Sequence, residues 1–225
     1  MIRITDITKT YDDGKVQVQA VRGVSLEIAK GEFTAIVGPS GSGKTTLLNV
    51  IGGLDTPTTG KVLIGEQDIS QLSDNELIDF RLHHIGFVFQ SYNLIPVLTA
   101  KENVEFLMLL QKRDEAYRNE RANQLLEAVG LADQINKKPN EMSGGQQQRV
   151  AVARALASKP DFVLADEPTA NLDSKSTTNL LDIMYKLNQD ENMTFVFSTH
   201  DQRVIDRAKR VITVEDGKVV SDERF

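Results

Sequence analysis

The chain has 225 residues, of which 40% are hydrophobic and 26% are charged, and it contains no cysteine. This composition is that of an ordinary globular protein with a sizeable core, and the missing thiols exclude disulfide bonds and cysteine-ligated metal sites. The formal net charge of −6 argues against a protein that binds nucleic acid through a basic face. No apolar stretch approaches the roughly 18 residues that cross a bilayer, so we expect a soluble protein that reaches any membrane through a partner.

The N-terminal segment predicts half-buried strands around residues 2–4 and 24–28, because apolar and polar residues alternate there. Tyr11 lies in a polar stretch that we place between these strands. The apolar run Phe33–Val37 follows and has the character of a buried strand.

A glycine-rich stretch comes directly after this strand and before an apolar helical pattern: Gly38-Pro39-Ser40-Gly41-Ser42-Gly43-Lys44-Thr45-Thr46. Its spacing, G-x-x-x-x-G-K-T, is that of a P-loop, in which glycines let consecutive backbone N–H groups point at a phosphate and the following helix adds its positive N-terminal end. Lys44 can reach the β- and γ-phosphates of a nucleotide, and the Thr45 hydroxyl is placed to ligate Mg²⁺. An ordinary Gly/Ser turn is the alternative, but every fixed position of the motif is filled.

Strand and helix patterns continue to alternate after the P-loop. Residues 61–64 can form a strand, and a capping box of Ser73 and Glu76 predicts a helix that runs to about His84. The buried-type strand that follows, over residues 85–89, ends at Gln90.

The next segment has a helical character. Thr99 and Glu102 form a second capping box, and amphipathic spacing predicts a further helix over residues 114–129. A third helix follows Ser143-Gly144-Gly145 and runs to about Ala157. The pattern therefore predicts a solvated helical insert in an α/β core.

The α/β alternation then resumes, with predicted strands over residues 162–165 and 194–198 and helices after Ser174 and from Gln202. Asp216-Gly217 between two short apolar runs predicts a hairpin.

Two acids end the apolar strand over residues 162–165: Asp166 and Glu167. In P-loop enzymes the strand beside the phosphate loop ends in an Asp that holds Mg²⁺, and a Glu one residue further can polarise a water in line with the γ-phosphate. Many strands end in acidic loops, so the Asp–Glu pair alone is weak evidence for a nucleotide site. Downstream of a P-loop it becomes a strong indication of nucleotide hydrolysis.

Met142-Ser143-Gly144-Gly145-Gln146 resembles the signature motif of ATP-binding cassette (ABC) ATPases, and the order of motifs along the chain is also that of the family. Tyr11 resembles the aromatic residue that stacks on adenine, and Gln90 the glutamine of the Q-loop. Asn171-Leu172-Asp173 resembles the D-loop, and His200 the switch histidine. Three of these features have plainer interpretations: Tyr11 could be an edge-strand aromatic, Gln90 a polar strand end, and Ser143-Gly144-Gly145 an N-cap with a flexible turn.

The resemblance implies one ABC ATPase domain over residues 1–225 with an α/β, P-loop NTPase (RecA-like) fold. The nucleotide-binding core and an antiparallel β subdomain would cover residues 1–90 and 158–225, and an inserted α-helical subdomain residues 91–157. The family's P-loop and signature motif lie on different sides of one cassette, so the resemblance implies a head-to-tail homodimer that sandwiches two ATP molecules.

The resemblance also assigns roles to residues. Those implied to be catalytic are Glu167, His200, Gln90 and Lys44, and those implied to hold Mg²⁺ are Thr45, Gln90 and Asp166. Those implied to contact ATP are Tyr11, Gly38, Pro39, Ser40, Gly41, Ser42, Gly43, Lys44, Thr45, Thr46, Ser143, Gly144, Gly145, Gln146 and Asp173.

Several longer stretches are similar to the MacB/LolD group of cassettes: Gly52-Gly53-Leu54-Asp55, Ile85–Gln90, Asn93–Pro96, Leu98–Val104 and Ala165–Asp173. Cassettes of this group power FtsX-like permeases in lipoprotein release, macrolide or peptide export, or mechanotransmission. The resemblance therefore implies a peripheral protein on the cytoplasmic face of the inner membrane, with an FtsX/MacB-like permease as partner and no nucleic acid.

Two alternatives stay open. The apolar loop Ser91–Val97 would either dock the permease or pack the helical subdomain on the core. The chain as a whole could instead be a soluble ABC ATPase that acts on a cytosolic partner. The cargo is not encoded in these residues.

Overall fold

A computed structural model describes residues 1–12, 14 and 16–225. They form two compact units, the first of Met1–Arg81 with Thr194–Phe225 and the second of Leu82–Met193. The strands are β1 Ile2–Asp12, β2 Gln17–Ile28, β3 Phe33–Val37, β4 Thr59–Ile64, β5 Gln67–Asp68, β6 Ile85–Val88, β7 Phe162–Asp166, β8 Thr194–Ser198, β9 Arg210–Glu215 and β10 Lys218–Arg224. The α-helices are α1 Lys44–Ile51, α2 Asp74–His84, α3 Ala100–Leu110, α4 Glu115–Ala128, α5 Gly144–Ala157, α6 Ser174–Glu191 and α7 Gln202–Ile205.

The first unit contains an antiparallel sheet with the strand order β2-β1-β4-β5. Ile2 lies opposite Ile28 and Ile4 opposite Leu26, and all four side chains are buried, as the alternating pattern predicts. The expected position of Tyr11 is wrong: the residue does not lie between strands but within β1, where it pairs with Val18 of β2. Both strands run further than their apolar residues, because antiparallel ladder pairing continues through the polar stretch.

A second set of strands in this unit is largely parallel, with β3 between β8 and β9. Phe33 of β3 packs its ring 4.7 Å from that of Phe197 and 5.7 Å from that of Phe195. The predicted hairpin is confirmed between β9 and β10. Both of its turn residues, Asp216 and Gly217, have positive φ, as a two-residue turn of type I′ requires.

The same unit contains a cluster of charged residues around one buried cation. Arg210 of β9 is 4% exposed. Its guanidinium donates two hydrogen bonds of 2.7 Å to Asp222 and one of 2.9 Å to Glu32, and a further one to the Glu27 carbonyl. The cation is therefore compensated by two carboxylates, as a buried charge must be.

The second unit combines a parallel strand pair with helices. β6 pairs with β7 so that Ile85 lies opposite Phe162 and Val88 opposite Ala165, while α3, α4 and α5 pack on one another. The predicted capping box at the start of α3 is confirmed, since the Thr99 and Glu102 side chains each accept from the other's backbone N–H. The predicted bounds of the helical subdomain stay a prediction.

Among the described residues, none of the helices combines the length and the apolar character that crossing a membrane requires.

Candidate nucleotide site

The glycine-rich stretch forms a tight loop between β3 and α1 in the first unit. Gly38, Gly41 and Gly43 have φ angles of 147°, 78° and 100°, which residues with a Cβ rarely adopt. A Cβ at Gly38 would lie 2.0 Å from the Val214 carbonyl oxygen, and one at Gly43 would lie 2.2 Å from that of Ala20. At these two positions glycine is required for both the backbone angle and the space.

The first turn of α1 suits an anion. Its N-cap is Gly43, so no side chain caps the helix, and its first turn contains no acidic residue. The N–H groups of a first turn need an outside partner, and a phosphate is a natural one at a helix N-terminus. In the described part of the chain, the buried Ser42 hydroxyl also lacks a hydrogen-bond partner. The loop therefore fits the polyphosphate of a nucleotide.

Lys44 is buried at the start of α1, with 7% of its surface exposed. Its ammonium donates to the carbonyl oxygens of Gly38 and Pro39, at 2.8 and 2.9 Å. Both acceptors are neutral, so the positive charge stays at the loop and can strengthen the binding of an anion. Thr45, the next residue, is exposed, and its hydroxyl oxygen can ligate a hard cation such as Mg²⁺.

His200 follows β8, the parallel neighbour of β3. Ile36 pairs with Ser198, so Gly38 and His200 each lie two residues beyond this pair, at the same carboxyl edge. The His200 side chain is exposed, whereas Thr199 before it is fully buried. The structure thus brings the start of the phosphate loop and the predicted switch histidine to one edge of the first unit.

In the second unit, three predicted site residues lie at the carboxyl edge of the β6–β7 strand pair. Val88 pairs with Ala165, so Gln90 and Glu167 each lie two residues beyond that pair, and Asp166 is the last residue of β7. The β6 strand ends at Val88 rather than at Phe89, because the Phe89 carbonyl accepts from the Tyr92 N–H in a turn. The carboxylate of Asp166 and the amide oxygen of Gln90 are ligand types that Mg²⁺ prefers.

Glu167 has a φ of 44°. This angle lies in the left-handed region, which is unfavourable for any residue that has a side chain. Its carbonyl accepts from the Ala170 N–H at 3.2 Å, and the Asn171 amide donates to the Gln90 carbonyl at 3.1 Å. The backbone around the predicted general base is therefore held in a strained turn, a feature that clusters at active sites.

The signature motif opens α5. Ser143 is the N-cap and forms a capping box with Gln146, while the predicted contact of both residues with ATP stays a prediction. Gly144 and Gly145 are in the helix, not in a flexible turn. A Cβ at Gly144 would lie 2.7 Å from the Tyr92 hydroxyl, and one at Gly145 would lie 2.7 Å from the Ser176 hydroxyl. These glycines let neighbouring segments come close to the helix start.

Asp173, predicted to contact ATP, is the N-cap of α6. Its carboxylate accepts from the Ser176 N–H at 3.0 Å and from the Ser176 hydroxyl at 2.6 Å. These hydrogen bonds lower the pKa of the Asp173 carboxyl below its usual range. The side chain therefore stabilises the helix start, and its role toward ATP stays a prediction.

Two residues of α5 that sequence reasoning missed hold the segment after β6. Gln148 is fully buried and donates to the carbonyls of Pro168 at 2.8 Å and Phe89 at 3.4 Å. Arg154 donates to the carbonyls of Tyr92, at 2.9 Å, and Asn93. One signal was available in the sequence, since Gln148 is a polar residue among the apolar positions of an amphipathic helix.

The ABC transporter family profile matches residues 21–170 of the chain. The chain belongs to the ABC transporter family.

Relatives of this cassette agree with the predicted subgroup. It is 48% identical over 221 residues to the lipoprotein-releasing system ATP-binding protein LolD 1 of Rhodopseudomonas palustris, covering 97% of this chain and 98% of that protein. It is 44% identical over 225 residues to the macrolide export ATP-binding/permease protein MacB of Bdellovibrio bacteriovorus. The match takes in all of this chain and 34% of MacB, so the cassette spans about a third of that protein.

Among solved structures, the cassette resembles the dimeric, post-hydrolysis structure of the ATP-binding cassette MJ0796 bound to ADP and Pi. The TM-score is 0.93 at 46% identity, over 100% of this chain and 98% of that one. The predictions of an α/β P-loop NTPase fold and of a MacB/LolD-like ABC cassette are thereby confirmed. The cassette is an ATPase and the ATP-binding subunit of an ABC transporter, while the roles of its individual residues stay predictions.

Proposed function

We propose that the cassette works as a homodimer that hydrolyses ATP with Mg²⁺ and powers an FtsX/MacB-type permease of the inner membrane. The glycine-rich loop carries this proposal, because its left-handed glycines and uncapped helix N-terminus fit a polyphosphate. The similarity to LolD and MacB supports the permease type. A permease partner would place the cassette at the cytoplasmic face of the membrane.

Each candidate residue has a role that its chemistry allows. The loop from Gly38 to Thr46 cradles the phosphates, and Lys44 balances their charge. Thr45, Gln90 and Asp166 would supply oxygen ligands to Mg²⁺, and the bound ion would neutralise charge on the phosphates of ATP. Glu167 takes the proton of the attacking water on its carboxylate, and His200 hydrogen-bonds the γ-phosphate.

The signature motif serves the partner protomer's ATP in this proposal. Ser143, Gly144, Gly145 and Gln146 form the first turn of α5, a helix of 14 residues, and the amides of such a turn bind anions. Hydrolysis removes the γ-phosphate that these residues contact, so the dimer opens. This ordering and release of contacts is how ATPases convert hydrolysis into movement.

A Glu167→Gln variant tests the catalytic assignment. We expect ATP binding to persist, hydrolysis to fall by about 10²-fold or more because the general base is lost, and an ATP-bound dimer to accumulate on size exclusion. Glu127→Gln, at an exposed position of α4, is the matched control and should turn over normally. Near-wild-type hydrolysis by Glu167→Gln would contradict the general-base role.

The same variant tests the permease. Tagged Glu167→Gln protein with Mg-ATP would be used to capture partners from detergent-solubilised native membranes, with Lys44→Ala as the control that cannot hold ATP. We expect mass spectrometry to identify a permease with few membrane spans and a large external domain. Recovery of ribosomes or of soluble proteins alone would refute the permease and favour the cytosolic alternative.

Observations on the loop Ser91–Val97 support both of its possible roles. Val97 is 71% exposed, as a docking residue would be, whereas Leu94 and Ile95 are half-buried. The fully buried Asn103 holds the loop in place. Its amide oxygen accepts from the Ile95 N–H, and its amide nitrogen donates to the carbonyls of Ile95 and Leu98. We propose that this loop presents Val97 to the permease while the two half-buried residues pack inward.

A further inference from the structure

Tyr11 of β1 is held by two charged residues of the first unit, and we call the three residues the Tyr11 clamp: Lys9, Tyr11 and Asp55. The Tyr11 hydroxyl donates to one Asp55 carboxylate oxygen at 2.6 Å. The Lys9 ammonium donates to the other at 2.5 Å and to the Thr56 carbonyl at 2.8 Å. The same ammonium lies 4.9 Å from the centroid of the Tyr11 ring, within the range of a cation–π interaction.

The backbone alone does not fix the ring. The register between β1 and β4 ends at Thr8 and Thr59, so within the described strands the end of β1 that carries Tyr11 pairs with β2 alone. The β1–β2 register also shifts between Lys9 and Thr10. A strand end with one neighbour and an irregular register leaves side-chain direction poorly defined. The contacts of the clamp therefore decide where the Tyr11 ring lies.

The clamp connects this ring to the helix that begins in the phosphate loop. Asp55 follows the end of α1, and its N–H and that of Leu54 both donate to the Asn49 carbonyl of that helix, at 3.2 and 2.8 Å. The positions of the aromatic ring and the phosphate loop are thus set by the same helix.

The protonation states of Tyr11 and Asp55 suit the hydrogen bond between them. Partial burial, followed by the hydrogen bond to Asp55, raises the pKa of the Tyr11 phenol. Partial burial alone would raise the pKa of the Asp55 carboxyl, but the hydrogen bonds from Lys9 and Tyr11 outweigh it, so that this pKa lies below its usual range. Tyr11 therefore stays a donor and Asp55 an ionised acceptor.

We infer that Asp55 and Lys9 are positioning residues that hold the Tyr11 ring ready to stack on the base of ATP. Tyr11 remains 43% exposed despite these contacts, so a base can reach it. An aromatic side chain that is already oriented loses less conformational entropy on binding, and stacking depends on ring orientation. The inference rests on the proposed role of Tyr11, and it gives a function to Asp55 of the Gly52-Gly53-Leu54-Asp55 stretch.

The test compares a ligand that has a base with one that lacks it. We expect Asp55→Ala to weaken ATP binding about three- to ten-fold, the cost of leaving one side chain unordered, and to raise KM with kcat nearly unchanged. Binding of inorganic tripolyphosphate should not change, because the phosphate loop is intact. Asp55→Asn keeps an acceptor for the Tyr11 hydroxyl and should recover most of the ATP affinity.

Glu27→Ala is the matched control. It breaks an ion pair with Arg3 between β1 and β2 of the same sheet and should leave the affinities for ATP and tripolyphosphate at wild-type values. Lys9→Met, which removes the ammonium but keeps much of the side-chain length, provides a second test should Asp55→Ala not fold. It should weaken ATP binding two- to five-fold.

Tyr11→Ala distinguishes the stacking role of Tyr11 from the positioning role of Asp55 and Lys9. If this variant binds ATP as tightly as the wild type, Tyr11 does not stack on the base, and the stacking role and the clamp both fail. If it weakens ATP binding while Asp55→Ala and Lys9→Met do not, the positioning role alone is overturned. Equal weakening of ATP and tripolyphosphate by Asp55→Ala would also overturn it, because the substitution would then act through the phosphate loop.

Discussion

The two units fix the backbone of their candidate sites by different means. In the first unit, the phosphate loop takes left-handed angles at glycines, where they cost little. In the second unit, Tyr92, Asn93 and Glu167 take left-handed angles with their side chains in place, at φ of 58°, 50° and 44°. Such angles persist when surrounding contacts enforce them, and Arg154 supplies contacts to the carbonyls of the first two.

The difference indicates where each unit is vulnerable. A loop built from glycines takes its left-handed angles at little cost, but a single added methyl group can destroy it. A loop built from strained residues tolerates changes in its own side chains better than the loss of the residue that holds it. The two regions should therefore respond to opposite kinds of substitution.

The largest effect is expected at Gly43. In Gly43→Ala, the new Cβ would lie 2.2 Å from the Ala20 carbonyl oxygen, and the residue would have an unfavourable φ of 100°. The loop must therefore rearrange, and ATP affinity should fall by about 100-fold or more. Isothermal titration calorimetry measures the loss. Gly65→Ala is the control for backbone angle alone, because its φ of 62° is positive but no atom lies within 4 Å of the new Cβ. ATP binding within three-fold of wild type in Gly43→Ala would contradict the rigid-loop explanation.

A smaller effect is expected from removing the support in the second unit. Arg154→Met should lower the free energy of unfolding by about 2–3 kcal/mol, because hydrogen bonds from a charged donor to two backbone carbonyls are lost. Urea unfolding measures this change in the free energy of unfolding. Amide hydrogen exchange should also become faster at residues 91–94.

Arg118→Met is the control for Arg154→Met. Arg118 donates to the Arg113 carbonyl near the start of α4 and supports no left-handed turn residue. Unchanged exchange at residues 91–94 in Arg154→Met would show that the strained turn does not depend on the arginine.

The smallest effect is expected where the first unit compensates a buried cation with two carboxylates. The hydrogen bonds from Arg210 lower the pKa of Asp222 below its usual range. This contribution to stability is present above the unfolded-state pKa, about 4, and is lost as the pH falls through the lower folded-state value. Asp222→Asn should therefore cost about 0.5–1 kcal/mol at pH 7, since the pair is partly exposed.

Asp222→Asn should also make urea stability less dependent on pH below about 4. The exposed Asp133 provides the control, Asp133→Asn, which should keep the wild-type pH profile. A wild-type profile in Asp222→Asn would refute the role assigned to this ion pair.

The features that sequence reasoning predicted correctly depend on residues close together in the chain. The hydrogen bonds from Ser73 to Glu76 and the capping box of Thr99 and Glu102 each join residues three positions apart, and the Asp216-Gly217 hairpin depends on two adjacent backbone angles. The spacing of the P-loop likewise encodes its own conformation, since glycine at fixed positions permits angles that other residues avoid. Local sterics and hydrogen bonding therefore determined most elements and the phosphate loop.

The contacts that hold the candidate residues in place join distant parts of the chain. Tyr11 and Asp55 are 44 residues apart, Gln148 and Phe89 are 59 apart, and Arg210 and Glu32 are 178 apart. No periodicity encodes such pairs, because a side chain finds a distant partner when the packing of strands and helices brings it there. Local sequence patterns therefore specify the glycine-rich loop and its conformation, whereas the tertiary structure decides which residues keep Tyr11 and the loop after β6 in place.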